Sequence, residues 1–211
     1  MHIGVPLAIL LSAIMHNSSL AQDEKPLSNL SPKLREFLIE HPVVLRKFTS
    51  VLSETCSGRT VLFYYFYSED ESVPRAYHDY PDESHVAIYV RENQQPLDEM
   101  LCLIFERWNS TNEKQFTELW DKAKSGAMTR SEFTREVGRL EFGATKKTRD
   151  LLKDIKLSRG EKNKSHYYKL FLGVPDEFDE YLAYLKKLPS SRDVVKELET
   201  KYDQLRKGTD H

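Results

Sequence analysis

The chain has 211 residues, 30% of them charged, with 31 Lys and Arg against 33 Asp and Glu for a net charge of −2. Without a basic excess it lacks the footprint of a dedicated nucleic-acid binder, which neutralises phosphates with surplus Lys and Arg. Its two cysteines, Cys56 and Cys102, are too few for a zinc knuckle, and no histidine is spaced to complete one.

Residues 1–21 read as an export signal. The apolar run from Ile3 to Met15 is too short to span a bilayer, no Asp, Glu, Lys or Arg precedes Asp23, and Ser19-Leu20-Ala21 offers small residues for cleavage. A secreted or periplasmic location is therefore expected, with residues 22–30 a flexible segment and 31–211 a single α+β domain. No later stretch is long and apolar enough to span a membrane. Outside the cytoplasm, Cys56 and Cys102 can close a disulfide; the alternative is two buried thiols.

Ser31-Pro32 starts a helix, with Ser as N-cap and Pro at the first helical position. Leu34, Phe37 and Leu38 give it one apolar face, and Pro42 separates it from a second helix carrying Val44, Leu45, Phe48, Val51 and Leu52. Thr60 to Tyr67 is apolar or aromatic on both faces, which predicts a central strand. Ser68 to Ser84 reads as an acidic, Pro-bearing loop, and His85 to Arg91 as a second strand. Leu97 to Asn109 is a helix apolar around most of its girth. Phe116, Leu119, Trp120 and Ala123 line the next, which ends at Gly126. Thr129 and Glu132 form a capping box ahead of a long stripe of Phe133, Val137, Leu140, Ala144, Leu151 and Ile155. Arg159 to Ser165 reads as a basic loop, and Pro175–Lys187 and Ser190–Lys207 as two final helices. The fold class is α+β, mostly helical with a small central sheet.

One constellation points to chemistry. Zinc peptidases of the His-Glu-x-x-His type hold the metal with two imidazoles one helical turn apart, and the intervening Glu activates the bound water. Phe105-Glu106-Arg107-Trp108-Asn109 occupies that register, following a strand and preceding a long helix with Leu140-Glu141-Phe142-Gly143-Ala144. Residues 60–155 thus resemble a degenerate zincin of the gluzincin type. The resemblance implies a zincin-like scaffold, with Glu106 at the general-base position and Glu141 at that of the third ligand. Phe105 and Asn109 stand where both histidines would be. Phe binds no metal and Asn is a poor zinc donor, so the catalytic metal and the activity depending on it are lost.

The expected function is therefore an exported, non-catalytic binding protein, a pseudo-peptidase with no metal and no cofactor. Its partner would be a peptide or protein lying along the edge of the 85–91 strand, over the Leu97–Asn109 helix, with Glu141, Phe105, Asn109 and Tyr89 as contacts. The alternatives are a hydrolase using Glu106 as general base, and a structural cell-envelope protein whose 190–207 helix pairs with its own copy. His78, Asp79, Asp82, Glu83 and His85 form a further candidate metal cluster. Glu106 with Glu141 is a candidate acid/base pair. No Gly-x-Ser-x-Gly elbow or phosphate-cradling glycine loop occurs. Asn29, Asn109 and Asn163 open glycosylation triplets, and Tyr64, Tyr65, Tyr67, Tyr77, Tyr80 and Tyr89 supply a recognition surface.

Overall fold

A computed structural model describes residues 27, 29–54, 59–69, 75–92, 94–187 and 194–207. The expected signal segment 1–21, most of residues 22–30, and Cys56 lie outside the described residues. The fold is α+β, with many helices and one small three-stranded mixed sheet. Among the described residues no helix is long and apolar enough to cross a membrane.

Helices α1 (Pro32–Glu40) and α2 (Pro42–Glu54) open the chain. The Ser31 hydroxyl caps α1 by accepting from the Leu34 N–H at 3.1 Å. Strands β1 (Thr60–Phe66), β2 (Ala76–Asp82) and β3 (His85–Arg91) follow, in spatial order β1-β3-β2. β1 runs parallel to β3 and β2 antiparallel to it.

Two expectations are corrected here. β3 is the middle strand, hydrogen-bonded on both sides, so it has no edge to offer a peptide, and β1 is an edge strand rather than a central one. The cause is β2, which lies within the stretch read as a loop. Its sequence, Ala76 to Asp82, carries a proline and two aspartates and has poor strand propensity. It survives as an edge strand, where proline is tolerated, and its register with β3 shifts between Asp79 and Asp82, around Pro81.

Helix α3 (Pro96–Ser110) is the hub of the molecule. It packs against β2 and β3, against α1 and α2, and against the later helices α5 (Arg130–Lys153) and α7 (His166–Leu172). Leu97, Met100, Leu101, Leu103 and Ile104 are buried along it and join Val86, Ile88 and Val90 of β3 in the main core. Each such side chain contributes about 1.5–3 kcal/mol through removal from water.

Its first turn holds two buried carboxylates. Glu99 accepts from the Tyr65 hydroxyl at 2.5 Å and the Ser31 hydroxyl at 2.7 Å, tying β1 and the start of α1 to the hub. Asp98 accepts from the Ser165 hydroxyl and from the N–H groups of His166 and Tyr167, at 3.1 and 3.0 Å.

Helices α4 (Glu113–Ser125) and α5 (Arg130–Lys153) match the sequence pattern, α5 behind the Thr129–Glu132 capping box. Gly126 closes α4 at φ +77°, a left-handed conformation suited to glycine. The stretch read as a basic loop is instead a short helix, α6 (Arg159–Lys164), with its own capping box from Ser158 and Glu161. α7 (His166–Leu172) starts on the N–H groups that Asp98 accepts from. α8 (Phe178–Leu185) and α9 (Val194–Lys207) complete the chain.

The apolar stripe of α9 is covered within the chain. Leu205 is buried, and Leu198 and Tyr202 pack with Phe116 of α4 and Phe133 of α5 in a second core. This removes the exposed seam on which self-pairing of that helix depended.

Candidate functional site

Three sequence periods converge on one space. On α3, Phe105, Glu106 and Asn109 share a wall because i and i+4 positions lie one turn apart. On β2 the period of two turns Ala76, His78 and Tyr80 to one side, the face that Ile88 and Val90 present opposite them on β3. α5 brings Glu141. The side chains named on α3, β2 and α5 line a cavity of about 580 Å³, bordered further by α4, α7, α8 and α9. That volume lies within the usual range for small-molecule sites.

β2 is pinned over α3 by polar contacts. The Tyr80 hydroxyl donates to the Ser110 carbonyl at 2.8 Å, and His78 Nδ1 donates to Glu106 Oε2 at 2.8 Å. The His78 ring sits edge-on to Tyr80, with centroids 5.5 Å apart. Glu106 is only 8% exposed, so its charge stands largely out of water.

Glu141 faces the same cavity without a hydrogen-bond or ion-pair partner for its carboxyl among the described residues. Burial raises its pKa from 4.5 to about 7, and the charges of Glu106 and then Glu197 add to the rise. Tyr181 stands close by: burial and the Glu141 charge both push its phenol up, and its hydroxyl lies 3.3 Å from Thr145 Oγ1. Asn109 is 5% exposed, and its Oδ1 is buried with no hydrogen-bond partner among the described residues. Burying an acceptor unpaired costs about 1–3 kcal/mol.

Of the residues expected to act together, Phe105, Glu106, Asn109 and Glu141 do line one cavity. Tyr89 does not. It lies on the other face of β3, stacked between Tyr64 and Tyr77 at centroid distances of 5.2 and 4.7 Å. Cys102 is a buried free thiol that donates to Gln94 Oε1 at 3.7 Å, with its pKa raised by burial; Cys56, its expected partner, lies outside the described residues.

The acidic His78–His85 stretch does not gather. His78 turns inward to Glu106, while His85 pairs with Asp82 at the exposed end of the hairpin, 2.8 Å away. Among the described residues no three His, Cys, Asp or Glu side chains form a metal-holding group. The donors at 105 and 109 do not fit zinc, since a phenyl ring has no lone pair to give and an amide oxygen is a weak ligand.

His78, expected in a loop cluster, is instead a strand residue of the cavity wall. The signal was present in the alternation Ala76, His78, Tyr80, masked by Pro81 and the flanking acids. No family model matches the chain, and no curated protein or solved structure matches it.

Proposed function

We propose that this chain is a non-catalytic binding protein built on a degenerate zincin-like scaffold and exported from the cytoplasm. The observation that carries this reading is the convergence of Phe105, Glu106, Asn109 and Glu141 on one cavity. Those are the two histidine positions, the general base and the third ligand of the family it resembles, and the two that should hold the ion are replaced by residues that cannot. The scaffold then keeps a cleft without the chemistry. The edge that borders the cleft is β2, not β3, so an extended polypeptide would pair along β2 and reach a side chain into the cavity.

The experiment compares the wild-type protein with Glu106→Gln in two assays. One is hydrolysis of a fluorogenic peptide library with and without added zinc. The other is selection of binders from a displayed peptide library, with the cavity-filling variant Val137→Phe as control. The proposal predicts no turnover, and selected peptides that lose affinity for Val137→Phe. Turnover by the wild type that disappears in Glu106→Gln would overturn it.

A second reading, hydrolysis with Glu106 as base, draws support from Glu141 staying protonated up to about pH 7 beside it, as a general acid would. The same hydrolysis assay decides between the two.

A further inference from the structure

We propose that the guest of this cavity is an organic cation, a primary ammonium or guanidinium carried on an apolar or aromatic body. The inference rests on reading the cavity as a binding site.

Glu106 uses Oε2 for His78, and its Oε1 has no partner among the described residues. Glu141 has both carboxyl oxygens to offer, and Asn109 has a buried, unpartnered Oδ1. These are all acceptors. A carboxylate is acceptor-only when ionised, and an ammonium or guanidinium is donor-only, so one guest group can satisfy several of them at once. An anion would meet the same wall as repulsion.

The lining as a whole carries the glutamates Glu106, Glu141 and Glu197, with Glu113 neutralised by its ion pair to Arg59, against Arg75 and Lys201. Arg75 already sits over the Tyr167 ring of the same lining, 5.7 Å from its centroid. Other aromatic faces add to the attraction: Phe105, Phe171 and Tyr181 line the cavity, and ring quadrupoles favour a cation once water is displaced. The pKa of Glu141 is raised first by withdrawal from water and then by the Glu106 and Glu197 charges, and a cation beside it would offset the part those charges contribute. The unpartnered Asn109 oxygen belongs to a residue of the same wall and is independent of the acids.

The test uses three probes of nearly equal shape: benzylamine, benzyl alcohol and benzoate. Each is titrated into the whole protein at pH 7.5, followed by calorimetry and by the fluorescence of Trp120, which lines the cavity. A fourth titration with N-acetyl-lysine methylamide asks whether the ammonium is accepted on a polypeptide side chain; binding there marks a protein guest, and binding of benzylamine alone marks a free amine.

The expected result is benzylamine binding at least about tenfold tighter than benzyl alcohol, with benzoate weakest. Glu141→Gln should erase most of that preference. Equal binding of amine and alcohol, or tighter binding of benzoate, would refute a cationic guest while leaving the cavity a binding site. No binding of any probe at millimolar concentration would refute both.

Discussion

Glu141 gives a prediction whose size follows from its surroundings. In the folded chain its carboxyl titrates at about 7 instead of 4.5, chiefly because it is buried and secondarily because Glu106 and Glu197 are negative. Between those values the folded state holds a proton that the unfolded chain has released, so stability falls as pH rises through the interval. Below 4.5 both states are protonated and the effect vanishes. Above 7 both are ionised and the folded state bears the cost of a half-buried charge, at most about 3 kcal/mol at about 1.4 kcal/mol per pH unit.

Glu141→Gln keeps the shape and removes the proton. It should therefore match the wild type near pH 4.5 and exceed it by up to about 3 kcal/mol at pH 8. Urea denaturation followed by far-UV circular dichroism, repeated across that range, measures the difference directly. His78, Glu106, Glu113, Glu197 and Lys201 also line the cavity. They are common to both proteins, so the difference between the two curves reports position 141 together with its coupling to Glu106 and Glu197. A constant offset at every pH would show that Glu141 is not held in the buried, acid-flanked setting described above.

The remaining predictions concern the hub and the cavity wall. Asp98→Ala strands the Ser165 hydroxyl and the His166 and Tyr167 N–H groups at the start of α7, and should cost roughly 2–4 kcal/mol in chemical denaturation. Leu103→Ala empties a fully buried site on α3 and should cost roughly 2–5 kcal/mol, whereas Ile39→Ala, on an exposed surface, should change stability by less than about 0.5 kcal/mol. Asn109→Leu replaces an unpartnered acceptor by an apolar group of similar volume. It should raise stability by about 1 kcal/mol while weakening benzylamine binding, and a loss of stability would mean that Oδ1 is satisfied in the native protein.

Much of the architecture was legible in the residues because helical periods and caps are local signals. The Leu97–Asn109 helix, the Thr129–Glu132 capping box and the glycine stop at Gly126 all appear within one residue of their expected places. The sheet was read less well. Strand order depends on pairing across the chain, and β2 hides its alternation under Pro81, Asp79 and Asp82. Because that strand went unseen, β3 was given an edge it lacks and Tyr89 a place in the site; it belongs instead to an aromatic stack on the other face. The short α6 was lost for a different reason. Its six residues are basic and contain a glycine, and only the Ser158–Glu161 box announced it. Phe105, Glu106, Asn109 and Glu141, grouped in the sequence by resemblance, line one cavity, while the hydrogen bond from His78 required the fold.

The most direct measurement of the central claim is zinc stoichiometry in the double variant Phe105→His, Asn109→His. If residues 60–155 keep a zincin-like scaffold that has lost only its imidazoles, the two new side chains and Glu141 will together grip one zinc ion per chain, while the wild type takes up none. Calorimetric titration and elemental analysis of the folded protein should show a ratio of one, abolished by adding Glu141→Gln. A correctly folded double variant that binds no zinc would contradict the account, because side chains at 105, 109 and 141 would then share a cavity without sharing the geometry of a metal site.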